Sequence, residues 1–380
     1  MIFQPYPFEK LNDLLKHIEP NKNYNPAILT IGEPQFETPK FIQDSLCNNS
    51  NLLKKYPKTS GEISLRTAQR GFFKKRFSVD LKDEQIIPTF GTREVLFNFP
   101  QFLLFGKENS TIAFPNPFYQ IYEGAAIATK SKIIHLSLDA SNNFKPKINE
   151  DELSQCDLVI LNFPNNPTTS TLSLDELGEW VYLSLKHNFV LLNDECYSEL
   201  YTDEKMPSLL EASLHVGNTS FKNILVINSI SKRSSAPGLR SGFIAGDENI
   251  LKEYMKYRTY IGCASPLPLQ SAAAAAWSDE KHVQASREIY KKNFEIAKEI
   301  LKIEIPKATF YIWLKVDKPI EFTKKLYQNY NVKVLPGEFL ARTDANGKNP
   351  GKDFVRIALV ESEDKTTDAL KRIKECLDAK

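Results

Sequence analysis

Five short apolar runs govern the middle of the chain: residues 110–114 (STIAF), 132–138 (KIIHLSL), 157–163 (DLVILNF), 189–194 (FVLLND) and 224–228 (ILVIN). Each has the length of a strand, and most carry apolar residues in succession, the mark of a strand covered on both faces. Segments with helical periodicity lie between them. The one that follows 157–163 opens on a capping box, Ser173 with Glu176, and turns Leu177, Trp180, Val181 and Leu185 to one side. An earlier strand-turn-helix, 86–99 (IIPTFGTREVLFNF), has the same build. Doubly buried strands separated by helices predict an α/β fold, a mostly parallel sheet with helices on both faces. In such a sheet ligands collect beyond the carboxyl ends of the strands, so the residues just after each run carry the functional information.

Those residues differ in kind. Tyr119 follows the first run, Asn166 the third, and Asp194 with Tyr197 the fourth; Ser229, Ser231 and Lys232 follow the fifth, with Arg240 eight residues beyond Lys232. A lysine among small hydroxyls with an arginine nearby suits an anionic cofactor that carries an aldehyde. Its amine forms a Schiff base while Ser229, Ser231 and Arg240 hold a phosphate, which makes pyridoxal phosphate the candidate. Taken singly the signal is weak, because strand-end lysines are mostly solvated and strand-end serines mostly turn residues. The Gly91-Thr92 turn in 86–99 adds free backbone N–H groups and a helix N-terminus, a ready phosphate site.

A chain of 380 residues fits one large domain and a smaller one. After about residue 279 a long helix is followed by short strands in TFYIWLKV, VKVLPGEF and DFVRIALV, the last carrying Arg356. We therefore expect a large cofactor-binding domain over 45–275 and a smaller α+β domain from 1–44 with 276–380. The formal net charge of +2, without a block of like charge, gives no reason to expect nucleic acid or membrane as a partner. The first residues lack the apolar core and cleavage site of a signal peptide, and no run of about 18 apolar residues occurs, so a cytoplasmic location is expected. Five scattered cysteines without CxxC and five unpaired histidines predict neither disulfides nor a metal site.

The motifs GEPQFETP, YPKTSGEISLR, FGTREVL, NPFYQIY, NFPNNPT, NDECY, SISKRSSAPGLRSG and FVRIAL, in this order and spacing, resemble the fold-type I pyridoxal phosphate-dependent aminotransferases of class I/II over nearly the whole chain. The resemblance implies that Lys232 bonds the cofactor and moves the proton at the substrate α-carbon, and that Asp194 faces the pyridine nitrogen. It assigns Tyr197 and Asn166 to the ring's phenolic oxygen and Tyr119 to the ring face. Phosphate falls to Ser229, Ser231, Arg240 and the amides of Gly91, Thr92 and Arg93, with Tyr56 reaching over from a second subunit of a homodimer whose sites are shared. Arg356 grips the substrate carboxylate beside Gly32 and Asn166, Arg258 is a candidate for a distal carboxylate, and the Asn166-Pro167 bond is expected to be cis.

FPNPFYQIYEGA, NDECYSELY and YRTYIGCASPLPLQ are most similar to the bacterial N-succinyldiaminopimelate type, which serves lysine and diaminopimelate synthesis with glutamate as amino donor. An aspartate or broad-specificity aminotransferase is the alternative, and a non-catalytic ligand sensor on the same fold a remote one. Two positions depart from the family pattern: Thr169 and Ala308-Thr309 stand where glycines are usual.

Overall fold

The computed structural model describes residues 3–379. In chain order its strands are β1 (Ala27–Ile28), β2 (Ile86–Thr89), β3 (Thr111–Asn116), β4 (Lys132–Ser137), β5 (Leu158–Leu161), β6 (Val190–Asp194), β7 (Ile224–Ser229), β8 (Gly242–Gly246), β9 (Tyr311–Lys315), β10 (Val332–Lys333), β11 (Leu335–Pro336) and β12 (Phe354–Ala358). Seven of them form one sheet in the order β2-β8-β7-β6-β5-β3-β4, in which only β8 runs antiparallel to its neighbours.

Alternate residues of these strands feed two separate cores, as a pleat requires. Val159, Leu191, Val226 and Phe243 pack with Phe72, Phe73, Trp180 and Trp277, from the helices Ile63–Phe77, Leu174–His187 and Leu267–Ser278, on one face. Ile112, Ile160, Leu192, Leu225 and Ile244 pack with Val95, Phe99 and Tyr254, from the helices Thr92–Leu103 and Glu248–Arg258, on the other. Burying one such side chain contributes roughly 1.5–3 kcal/mol, so continuous apolar strands are what this sandwich needs. The expected capping box is present: Ser173 Oγ accepts from Glu176 N and Glu176 Oε2 accepts from Ser173 N.

A third core, built on Phe294, Ile312, Leu314, Val355, Ile357 and Leu370, lies between the three-stranded antiparallel sheet β11-β12-β9 and the helices Lys281–Leu301 and Glu363–Asp378. β1 pairs in parallel with β10, which ties the start of the chain to this part. Ile42, by contrast, belongs to the core of the large sheet, so the helix Lys40–Asn48 lies there. β8 was not anticipated as a strand, and the first helix is Pro7–Leu15. No helix of the described residues is long and apolar enough to cross a membrane.

The chain goes from β3 outward to β4, then returns past β3 to β5, β6 and β7. The reversal leaves a crevice at the carboxyl ends of β3, β5, β6 and β7. The small sheet faces that crevice through β9 and β12, which carry Tyr311 and Arg356.

Candidate active site

A cavity of about 760 Å³ occupies the crevice. Lys232, Asp194, Tyr197, Asn166, Tyr119, Ser229, Ser231, Arg240, Arg356, Gly32, Thr92 and Arg93 all line it. Lys232 sits on the short helical turn Ile230–Arg233 that leaves β7, and its Nζ donates to the carbonyl oxygen of Gly32 across the domain junction. Burial, aided by Arg356 and Arg240 and opposed by Cys196 and Glu33, pulls its amine down to about 8. An amine so placed spends a useful fraction of time unprotonated at neutral pH, as a nucleophile or proton carrier must.

Asp194 ends β6 and is 5% exposed. Tyr122 Oη donates to its Oδ2 at 3.1 Å and the amide of Cys196 donates to Oδ1 at 3.2 Å. Both donors are neutral, and burial pushes the carboxyl pKa up. A carboxylate held this way is stabilised by a cation that enters the cavity.

Gly91 ends the first phosphate-like corner. It has φ +76°, a backbone conformation that favours glycine, and a Cβ there would lie 2.3 Å from Arg240 Nη2 and displace that guanidinium. It opens the helix Thr92–Leu103, whose first turn has no side-chain cap. Thr92 and Arg93 of that first turn line the cavity together with Arg240, Ser229 and Ser231, a donor-rich corner suited to an anion.

Arg356 projects from β12. Its Nη1 donates to Asn166 Oδ1 at 2.7 Å, its Nη2 to Thr30 O at 2.6 Å, and its Nε has no partner among the described residues. The Asn166-Pro167 bond is cis, as expected. Tyr119 Oη accepts from Arg93 Nε at 2.9 Å.

Two of the named residues do not line this cavity. Tyr56, expected to reach the site of a second subunit, is fully exposed and away from the cavity of its own chain. Arg258, 1% exposed, does not line the cavity either: its Nε and Nη2 donate to Glu94 at 3.0 and 3.1 Å, and its Nη1 donates to Thr59 O at 3.2 Å. A guanidinium held on three sides in a dry setting has no face left for substrate, and it anchors the turn that precedes the helix Ile63–Phe77. The structure also brings in residues the sequence reading passed over: Tyr122, Cys196, Thr30 and Tyr311. Tyr122 had a signal, standing one helical turn from Tyr119. Cys196 had one too, standing between Asp194 and Tyr197 in NDECY, whereas Thr30 and Tyr311 had none before the two sheets were placed together.

The donor set fits pyridoxal phosphate. A buried carboxylate with only neutral hydrogen-bond partners, a donor-rich corner and a lysine with a depressed pKa, all lining one cavity, suit the ring nitrogen, phosphate and aldehyde of that molecule. The family model described as aminotransferase class I and II matches residues 26–373. The chain belongs to the class I and II aminotransferases. It is similar to a solved aminotransferase, AspB, from Helicobacter pylori, at 52% identity and TM-score 0.96 over 100% of both chains. A Neisseria meningitidis aminotransferase structure shares 40% identity, TM-score 0.94, over 99% of this chain and 98% of the other. An LL-diaminopimelate aminotransferase from Natranaerobius thermophilus is 29% identical over 98% of this chain and 96% of its own length.

An aminotransferase of this class is a pyridoxal phosphate enzyme acting on amino and keto acids. When bound, the cofactor supplies an electron sink for the charge that develops at the substrate α-carbon. The chain's own residues do the rest. Asp194 would meet a positive charge at its carboxylate, Lys232 would hold and move a proton, and the donor-rich corner of Arg240, Ser229 and Ser231 would fix one end. The Arg356 guanidinium would orient a carboxylate at the other. Thr169 (φ +66°) and Thr309 (φ +80°) both occupy the left-handed region, which is the backbone reason for glycine at these positions in the family.

Proposed function

We propose that this enzyme transfers the amino group between glutamate and N-succinyl-2-amino-6-oxopimelate, as a succinyldiaminopimelate transaminase of lysine and diaminopimelate synthesis. The observation that carries the reading is the second half of the cavity. Beyond Lys232 and Arg356 it extends past Tyr119 to Tyr6, Phe8, Phe97 and Leu340, an apolar stretch with Arg93 beside it. Arg93 uses only its Nε, on Tyr119; its two Nη groups have no hydrogen-bond partner among the described residues. A guanidinium with both Nη groups unengaged, beside a partly apolar stretch, suits a long substrate with a second carboxylate. It takes the part expected of Arg258, whose guanidinium is already engaged by Glu94. The similarity to an enzyme named for LL-diaminopimelate supports a seven-carbon skeleton.

In this reading Lys232, Asp194, Tyr197, Asn166, Tyr119, Ser229, Ser231, Arg240 and the amides at 91–93 hold the cofactor, and Arg356, Asn166 and Gly32 hold the substrate's α-carboxylate. Tyr56 completes the site of a second copy in a homodimer.

The alternative is an aspartate or broad-specificity aminotransferase, for which the Arg93 fork would meet a shorter diacid. Steady-state kcat/KM with glutamate as donor separates the two. The succinylated keto acid should exceed oxaloacetate by at least about tenfold, a difference of about 1.4 kcal/mol in transition-state binding. A preference for oxaloacetate would establish the alternative.

A further inference from the structure

Tyr311 touches more of the site than any role assigned so far explains. It opens β9, is 2% exposed and points into the cavity from the small sheet. Its hydroxyl lies 3.0 Å from that of Tyr197. Arg356 Cζ stands 4.4 Å from the centre of its ring, on the same face of the β9–β12 pair. Its hydroxyl also closes on Gly32, where a Cβ would lie 1.8 Å away. The backbone around it is built at a cost: Thr309 adopts φ +80°, and its Oγ1 accepts from Tyr311 N at 3.0 Å.

We propose that Tyr311 is a positioning residue, setting the direction of the Tyr197 O–H and the plane of the Arg356 fork together. Two hydroxyls 3.0 Å apart share one proton between them, and each alone could be donor or acceptor. When Tyr197 donates into the cavity, its oxygen is left to accept, and Tyr311 is the neighbour that donates to it. A hydroxyl that accepts a hydrogen bond becomes a stronger donor, so Tyr311 strengthens what Tyr197 delivers. The Arg356 cation over the ring favours the same polarity, drawing electron density from the phenol that must give its proton. The ring in turn holds the guanidinium flat, with its Nε free and Nη1 and Nη2 tied to Asn166 and Thr30.

The inference rests on Tyr197 serving the cofactor's phenolic oxygen, and the test separates the two. Tyr311→Phe keeps the ring and loses the hydroxyl; Tyr311→Leu loses both; Tyr197→Phe is the reference. The first readout is the pH midpoint of the visible absorbance of the holoenzyme. A hydrogen bond donated to a phenolate oxygen favours the less protonated form, so weakening it raises the midpoint. Tyr197→Phe should raise it by about one unit and Tyr311→Phe by about half a unit, with no further rise when the two are combined. The second readout is KM for the amino acid. It should stay within about twofold for Tyr311→Phe and rise about tenfold for Tyr311→Leu, whose Arg356 has lost its support. A midpoint moved by Tyr197→Phe but not by Tyr311→Phe, at unchanged melting temperature, would overturn the proposal alone. If Tyr197→Phe leaves the midpoint in place, the assignment beneath it falls and the proposal falls with it.

Discussion

Arg258 and Asp194 show how burial decides what a charged residue does. Arg258 and Glu94 are 1% and 8% exposed at their side chains, and each needs the other. Removing the cation leaves Glu94 buried and unpaired, at about 3–5 kcal/mol. Arg258→Ala should therefore lower the melting temperature and loosen the turn at Thr59, while the KM for glutamate of the folded fraction is unchanged; a raised KM with native stability would return Arg258 to the substrate. Asp194 is also buried, but its partners are neutral and its charge faces the cavity. In Asp194→Asn the side-chain amide still accepts from Tyr122 or Cys196, so the fold should persist and cofactor should still bind. The lost charge should lower kcat about a thousandfold, about 4 kcal/mol, and a kcat near native would exclude the assigned role. Ser234, His282 and Asp279 make the opposite point. Ser234 Oγ lies 2.8 Å from His282 Nε2, and His282 Nδ1 2.6 Å from Asp279 Oδ1, the order of contacts in a hydrolase triad. Ser234 is fully buried, so no substrate reaches it; the chain of bonds fastens the segment after Lys232 to the start of the helix Lys281–Leu301.

At the scale of elements, the acid next to the active-site aspartate is a helix anchor. Glu195 is 1% exposed, and its Oε1 accepts from Leu209 N at 2.8 Å, Ser208 Oγ at 3.1 Å and Asn193 Nδ2 at 3.2 Å, which ties the helix Leu209–His215 to the end of β6. Burial holds its carboxyl at about 7, above its ordinary 4.5. A folded pKa above the unfolded one means that the native state holds the proton more tightly. Stability from this group is then complete below about pH 4.5 and is lost as pH rises to about 7, by up to about 3 kcal/mol. Glu195→Gln keeps an oxygen for all three donors and cannot ionise, so its unfolding free energy should exceed the parent's at pH 8 and lack that slope. A slope that persists in the variant would place the titration elsewhere.

The same elements show what the sequence could reveal. β3, β5, β6 and β7 and the polar residues at their ends were legible because a doubly buried strand must be apolar and a reaction site needs unlike groups at its ends. β8 was not legible. It begins at Gly242 and ends at Gly246, where a Cβ would lie 2.6 Å from Asn228 O and 2.0 Å from Ile224 O, so the close approach that demands glycine erases the side-chain pattern. Arg258 could not be placed either, since its partner Glu94 is 164 residues away and only the folded sheet brings them together.

For the whole molecule, the exposed apolar residues close to Thr59 and Arg258 in the chain bear on the proposed homodimer. Tyr56 is fully exposed, Leu53, Ile63 and Tyr260 are 72%, 67% and 90% exposed, and the hydrogen bond from Arg258 to Thr59 O joins the two stretches of chain that carry them. Large apolar side chains left exposed suit a surface that another chain covers. A two-fold partner would bury them against the same patch of itself and deliver each Tyr56 toward the other chain's anion corner. Chain mixing tests this arrangement. Lys232→Ala removes the reacting amine and Tyr56→Ala removes the residue given across the interface, so each homodimer should be inactive or weak. In the mixed dimer one site carries both lesions and the other neither. Activity should therefore return on mixing, up to about half the native rate per hybrid dimer by counting symmetric sites. Tagged chains that exchange fully, yet restore no activity, would show that Tyr56 serves its own chain or no site at all.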